Sequence, residues 1–199
     1  MAMRKLRSAM VVVFSMGMTD FVFSQDFEKG LKAYQEQDYT TALKEWTVLA
    51  DRGHIEAQHK LGLMYAFGHG VVQDSKKAVT LYRKSAEQGY AAAQNNLASM
   101  FFIGDGVLQD YKDAELWYRK SAEQGDALGQ SALGFLYKEG YGVIQDNVYA
   151  HMWYNIAASN GYKSASEGRN EIVKKMTATE IAKAQEIARE CVKKQYKGC

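Results

Sequence analysis

Apolar residues along this chain recur with the period of a helix, and the helical pattern itself recurs every 36 residues between Ala57 and Tyr162. Three copies line up. In the first stretch of each, Leu61, Leu97 and Leu133 precede Gly62, Ala98 and Gly134, and Tyr65, Phe101 and Tyr137 follow at i+4. The second stretch carries Ala78, Ala114 and Ala150, then Tyr82, Tyr118 and Tyr154, then Ala86, Ala122 and Ala158, at the i, i+4, i+8 spacing of a core stripe. Small residues let a neighbouring helix come close, and the ring fills the space beside it. A fixed period of this size marks stacked helical repeats, each burying its apolar face against the next, and predicts an all-α solenoid.

Between the two helices of each copy lies a glycine-rich loop: Gly68 and Gly70, Gly104 and Gly106, Gly140 and Gly142. Glycine there permits a sharp turn with positive φ. Val71, Val107 and Val143 come next, then Asp74, Asp110 and Asp146, placed to accept hydrogen bonds from the free N–H groups at the start of the second helix. Gly89, Gly125 and Gly161 follow that helix as left-handed caps would.

The period extends upstream in shortened form. Ala42, Trp46, Ala50 and Gly53 stand 36 residues before Ala78, Tyr82, Ala86 and Gly89, and Gly30, Tyr34 and Tyr39 suggest a preceding helix joined by a shorter loop. Downstream, Thr177 and Glu180 have the spacing of a capping box, and Ile181, Ala184, Ile187 and Ala188 share a face. A helix pair covering the last repeat is expected, with Lys174, Lys175, Lys183, Lys193, Lys194 and Lys197 facing water.

The first 24 residues follow another logic. Arg4, Lys5 and Arg7 give a basic start, Ala9 to Met18 an apolar stretch, and Val22, Phe23 and Ser24 a pattern compatible with cleavage before Gln25. Residues 1–24 read as a cleavable signal peptide, with a retained anchor as the alternative, and residues 25–199 as one domain without a linker. No later stretch approaches the roughly 20 apolar residues of a membrane span. Removing the leader takes away three basic residues and one acidic one, leaving 22 of each. The remainder is formally neutral, with no electrostatic drive toward nucleic acid. A periplasmic or secreted location is expected.

The run Ala57, Leu61, Gly62, Tyr65, Gly68, Gly70, Val71, Asp74, Ala78, Tyr82, Ala86 and Gly89 resembles the Sel1-like repeat, a relative of the tetratricopeptide repeat with a longer loop. Ala98, Phe101 and Gly129 depart from it without breaking a helix pair. The resemblance implies a right-handed α-solenoid of stacked helix pairs. Its repeats fall at 57–90, 93–126 and 129–162, with a degenerate first repeat at 27–54 and a C-terminal cap at 163–199.

In tetratricopeptide-like arrays the first helices line a concave surface. Carried over residue by residue, that geometry points to His59, Lys60, Leu63 and Phe67, to Asn95, Asn96, Ser99 and Phe102, and to Ser131, Phe135 and Lys138. Asparagines there would bond a peptide backbone, Phe67, Phe102 and Phe135 would supply pockets, and lysines would meet carboxylates. The competing reading makes these merely variable surface residues. Trp117 and Trp153, on second helices, are expected in the core between repeats.

No catalytic constellation assembles. His54, His59, His69 and His151 lack metal-ligand spacing, with His59 most simply at the surface, and Ser85 and Ser121 recur in one structural setting at a helix end. A non-catalytic scaffold of the bacterial cell envelope, without cofactor or metal, is the reading; its partner is an unidentified envelope or host protein or peptide. The alternative is a cell-wall hydrolase or penicillin-interacting, β-lactamase-like protein, as reported for cysteine-rich members of the family, whose repeats each carry a cysteine pair that these repeats lack. The two cysteines present, Cys191 and Cys199, are eight residues apart. An unbroken helix would hold them about 12 Å apart, so a disulfide requires the chain to turn back near Gly198. Such a bridge is favoured over two independent thiols.

Overall fold

The structure, a computed structural model, describes residues 26–199. The proposed leader lies outside the described residues. Every regular element among them is helical: α1 over residues 26–35, α2 Tyr39–Asp51, α3 Ile55–Phe67, α4 Ser75–Glu87, α5 Ala91–Ile103, α6 Tyr111–Ala122, α7 Ala127–Glu139, α8 Asn147–Ser159, α9 Ala165–Val173 and α10 Ala178–Lys193. They fall into two compact units, one ending at Gln73 and one running from Asp74 to Cys199.

In the first unit α2 packs on α3. Trp46 is fully buried, and Gly30 explains how α1 comes so near it: a Cβ on Gly30 would sit 2.5 Å from the indole nitrogen. That nitrogen donates to the Phe27 carbonyl at 3.4 Å. The loop after α3 folds back so that a Cβ on Gly70 would meet the Tyr39 Cβ at 2.5 Å.

In the second unit each helix packs on the next from α4 to α9, and α10 lies against α8. The core is built from the predicted stripes. Ala78, Ala86, Ala114, Ala122, Ala150, Leu97 and Leu133 are buried, as are Tyr82, Tyr118 and Tyr154. Trp117 and Trp153 are buried too, as expected, with the Lys120 ammonium 4.0 Å above the Trp117 ring. The aspartates cap as anticipated: Asp74 accepts from the Lys77 N–H, Asp110 from Lys112 and Asp113, and Asp146 from Val148 and Tyr149. Such a cap contributes about 1 kcal/mol.

The second glycine of each loop has a role beyond turning the chain. A Cβ on Gly106 would overlap the Ser75 carbonyl, and one on Gly142 the Tyr111 carbonyl, so each loop rests directly on the first turn of the preceding repeat's second helix. Recurrent glutamines tie the same neighbours together. Buried Gln94 and Gln130 donate to the carbonyls of Ala86 and Ala122 at 3.1 and 3.2 Å, and receive bonds from Gln124 and Asn160 at 2.7 and 2.9 Å. In the first unit Gln58 donates to the Ala50 carbonyl in the same way.

The C-terminal pair forms with its capping box: Thr177 Oγ1 accepts from the Glu180 N–H, and the Glu180 carboxylate accepts from the Thr177 N–H. Ala184, Ala188 and Cys191 supply the buried face of α10. Cys191 and Cys199 are disulfide-bonded, with Cα atoms 5.5 Å apart. The reversal begins earlier than Gly198, since Gln195 and Tyr196 already have φ of 53° and 65°. Among the described residues no helix is long and apolar enough to cross a membrane.

Candidate functional site

In the second unit the exposed faces of α5, α7 and α9 line an open groove of about 520 Å³. Asn95, Asn96 and Ser99 come from α5, Leu128, Ser131, Ala132 and Phe135 from α7, and Glu167, Gly168 and Glu171 from α9, with Tyr162 and Ser164 just before it. These α5 and α7 residues are neighbours because their buried companions, Leu97, Ala98, Leu133 and Gly134, turn the opposite sides of the same helices into the core.

Tyr118 and Tyr154 also line the groove, although they belong to the second helices α6 and α8. Glycine gives Tyr154 its path: a Cβ on Gly134 would lie 2.9 Å from its ring, and one on Gly168 2.6 Å. Burial pushes the Tyr154 phenol up to about 12, Lys138 opposing and Glu139 and Glu171 adding to the shift. Burial also raises Tyr118, which shares a hydrogen bond with Ser99. Both phenols are therefore neutral at physiological pH and offer O–H groups to the groove.

The sequence-selected residues divide into groups. Asn95, Asn96, Ser99, Ser131 and Phe135 come together in the groove. Phe102 packs instead in a cluster with Tyr111, Phe135 and Tyr141, ring centres 5.3, 5.9 and 5.6 Å from its own. Lys138 is not a free cation waiting for a ligand carboxylate, contrary to expectation. Its ammonium donates to Glu171 at 2.7 Å and lies 3.4 Å from Glu139, and the bond to Glu171 raises its pKa while lowering that of Glu171.

In the first unit, Phe67 is 65 % exposed, while Lys60 and Leu63 are half-buried. His59 is not at the surface: only 6 % of it is exposed, and α3 buries Ala57, Gln58 and His59 in succession. Burial, helped by the Lys60 ammonium, pushes its pKa down to about 4. A neutral, enclosed imidazole belongs to the core rather than to a binding face. Phe67 instead neighbours His69, whose ring stacks on Tyr39 and whose Nδ1 is 2.7 Å from the Tyr34 hydroxyl.

Sequence reasoning missed the contribution of α9, whose segment reads as a cap. Its signal was the spacing of Ala165, Gly168 and Ile172, an i, i+3, i+7 face that seats this helix and leaves Glu167 and Glu171 outward. Ser85 and Ser121 are fully buried at the ends of α4 and α6.

The Sel1 repeat model matches residues 55–90, 91–126 and 127–162, more than half of the chain. The chain belongs to the Sel1 repeat family. Repeats of this family generally mediate protein–protein interaction, and its members are typically non-catalytic scaffolds. Among solved structures the chain is similar to a Sel1 repeat protein from Oxalobacter formigenes, 33% identical with a TM-score of 0.67, over 70% of this chain and 57% of that one. It is also similar to c5321, a protective antigen of uropathogenic Escherichia coli with an SLR fold, 27% identical with a TM-score of 0.61, over 93% of this chain and 49% of that one. The alignments thus span only about half of these structures' length. No curated protein matches the sequence.

Proposed function

We propose that this Sel1 repeat chain is a non-catalytic scaffold, exported to the bacterial envelope or beyond, that holds an extended segment of a partner protein in the groove of α5, α7 and α9. The observation that carries this reading is that Asn95, Asn96, Ser99, Ser131 and Phe135, at the outward positions of two first helices, line one groove with Tyr118 and Tyr154. An extended backbone needs donors and acceptors at regular intervals, and the amide of Asn95 and the hydroxyl of Ser131 line the groove without a protein hydrogen bond among the described residues. Phe135, 37 % exposed, offers apolar surface beside them. The disulfide and the leader-like N-terminus support export.

Site-specific photocrosslinking tests the proposal. A benzophenone side chain at Ser131 should capture a discrete partner in envelope preparations, and the same group at Lys183, on the exposed side of α10, should not. Capture at both positions alike, or at neither, would count against groove binding.

A further inference from the structure

We infer that the segment held in the groove carries a lysine or arginine that docks against Glu167; this deepens, and rests on, the peptide-binding reading above. The charged residues lining the groove are both acidic, Glu167 and Glu171. They stand four residues apart on α9 and so share one side of it. Their situations differ. Glu171 is already bonded to Lys138 at 2.7 Å, and Lys174 and Lys175 add to the positive field around it. Glu167 is exposed and forms no ion pair among the described residues. The nearest cation in sequence, Arg169, donates to Asn155 Oδ1 at 3.0 Å and is engaged there.

One end of the groove therefore presents a carboxylate paired with no cationic side chain and steadied only by the first turn of α9, and the other presents only neutral side chains from α5 and α7. An acidic ligand residue placed beside Glu167 would be repelled, whereas an ammonium or guanidinium would gain a charge-assisted hydrogen bond. The groove crosses three helices, a span on the order of 20 Å and the reach of about six extended residues. The inferred ligand is thus a segment of about that length, neutral where it crosses α5 and α7 and basic where it reaches α9.

An array of immobilised hexapeptides, randomised except for one fixed Arg, Ala or Glu at each position in turn, would be probed with the full chain and two variants. Ser131→Trp fills the groove, and Glu167→Gln removes the charge at an exposed site, with folding of both checked by circular dichroism. The expected result is groove-dependent binding in which Arg near one peptide end outperforms Ala by about two- to fivefold, the scale of one exposed charge pair, and Glu falls below Ala. Glu167→Gln should bring Arg and Ala to near parity. Binding that Ser131→Trp abolishes but that shows no charge preference, or a preference that survives Glu167→Gln, overturns this inference and leaves the peptide-binding reading standing. Absence of any binding sensitive to Ser131→Trp overturns both.

Discussion

The phenol of Tyr196 and the side-chain amide of Asn160 exchange hydrogen bonds at 3.1 and 3.2 Å across a separation of 36 residues, the length of one repeat. Asn160 also donates to Gln130 at 2.9 Å, and Gln130 in turn donates to the Ala122 carbonyl. The tail thus continues the polar relay that joins repeats to one another, although its sequence has left the repeat pattern. The Gly198 N–H reaches the Glu123 carboxylate at 3.3 Å and fixes the same turn from the other side.

Opening the disulfide should loosen this tail. Closing a loop of this size stabilises by about 2 kcal/mol through the unfolded state. Cys199→Ser, or dithiothreitol added to the wild type, should lower the urea midpoint by a corresponding amount, and Tyr196→Phe should cost about 1 kcal/mol through its lost bonds. An unchanged midpoint in both variants would show that the clip carries no stability.

The loop glycines should separate two costs. Gly161 has φ of +97°, and no atom lies within 4 Å of the place a Cβ would take, so Gly161→Ala should lose only the about 1–2 kcal/mol of a left-handed alanine. Gly142→Ala adds a clash with the Tyr111 backbone and should lose about 3 kcal/mol or more. Equal losses in denaturation experiments would mean that contact between repeats is not what Gly142 supplies.

Two glutamines offer a similar contrast. Gln130→Ala removes two bonds in a buried place, one to the Ala122 carbonyl and one from the Asn160 amide, and should cost about 2 kcal/mol. Gln145→Ala removes an exposed bond to the Lys138 carbonyl, which water can replace, and should cost under about 1 kcal/mol. Hydrogen exchange at the end of α6 should accelerate only in the first variant.

Acid should act partly through His59. Its folded-state pKa, about 4, lies below the unfolded value of 6.5, so the unfolded chain takes up the proton first. The contribution of neutral His59 is complete above pH 6.5 and is lost as the pH falls toward 4. Between pH 7 and pH 5 this amounts to about 2 kcal/mol. His59→Gln should therefore show a flatter stability profile across that interval, as judged by urea titrations at each pH; a profile parallel to wild type would refute the assignment.

Much of the fold was legible because its determinants are local and repeated. Asp110 can cap only the helix that follows it, and Ala114, Tyr118 and Ala122 declare their shared face by spacing alone. Part of the groove was legible for the same reason, since Asn95 and Ser131 are what remains on α5 and α7 once the buried positions are removed. What escaped depends on partners outside the period. Nothing near Lys138 in sequence announces that Glu171 occupies it, and His59 looks like a surface residue until the inward face of α3 is known. Gln94 and Gln130 recur openly, but a polar residue after a small core residue reads as solvent-facing until its carbonyl partner is seen.

The glycine that seats one loop on the preceding helix, the aspartate that caps the next, and the glutamine that ties neighbours together all lie within the same thirty-six residues. Gene duplication that copies one unit therefore copies a complete means of attachment. A lineage can lengthen or shorten such a protein by whole units while the outward positions of the first helices drift independently. New recognition properties can then arise without any renegotiation of how the units adhere.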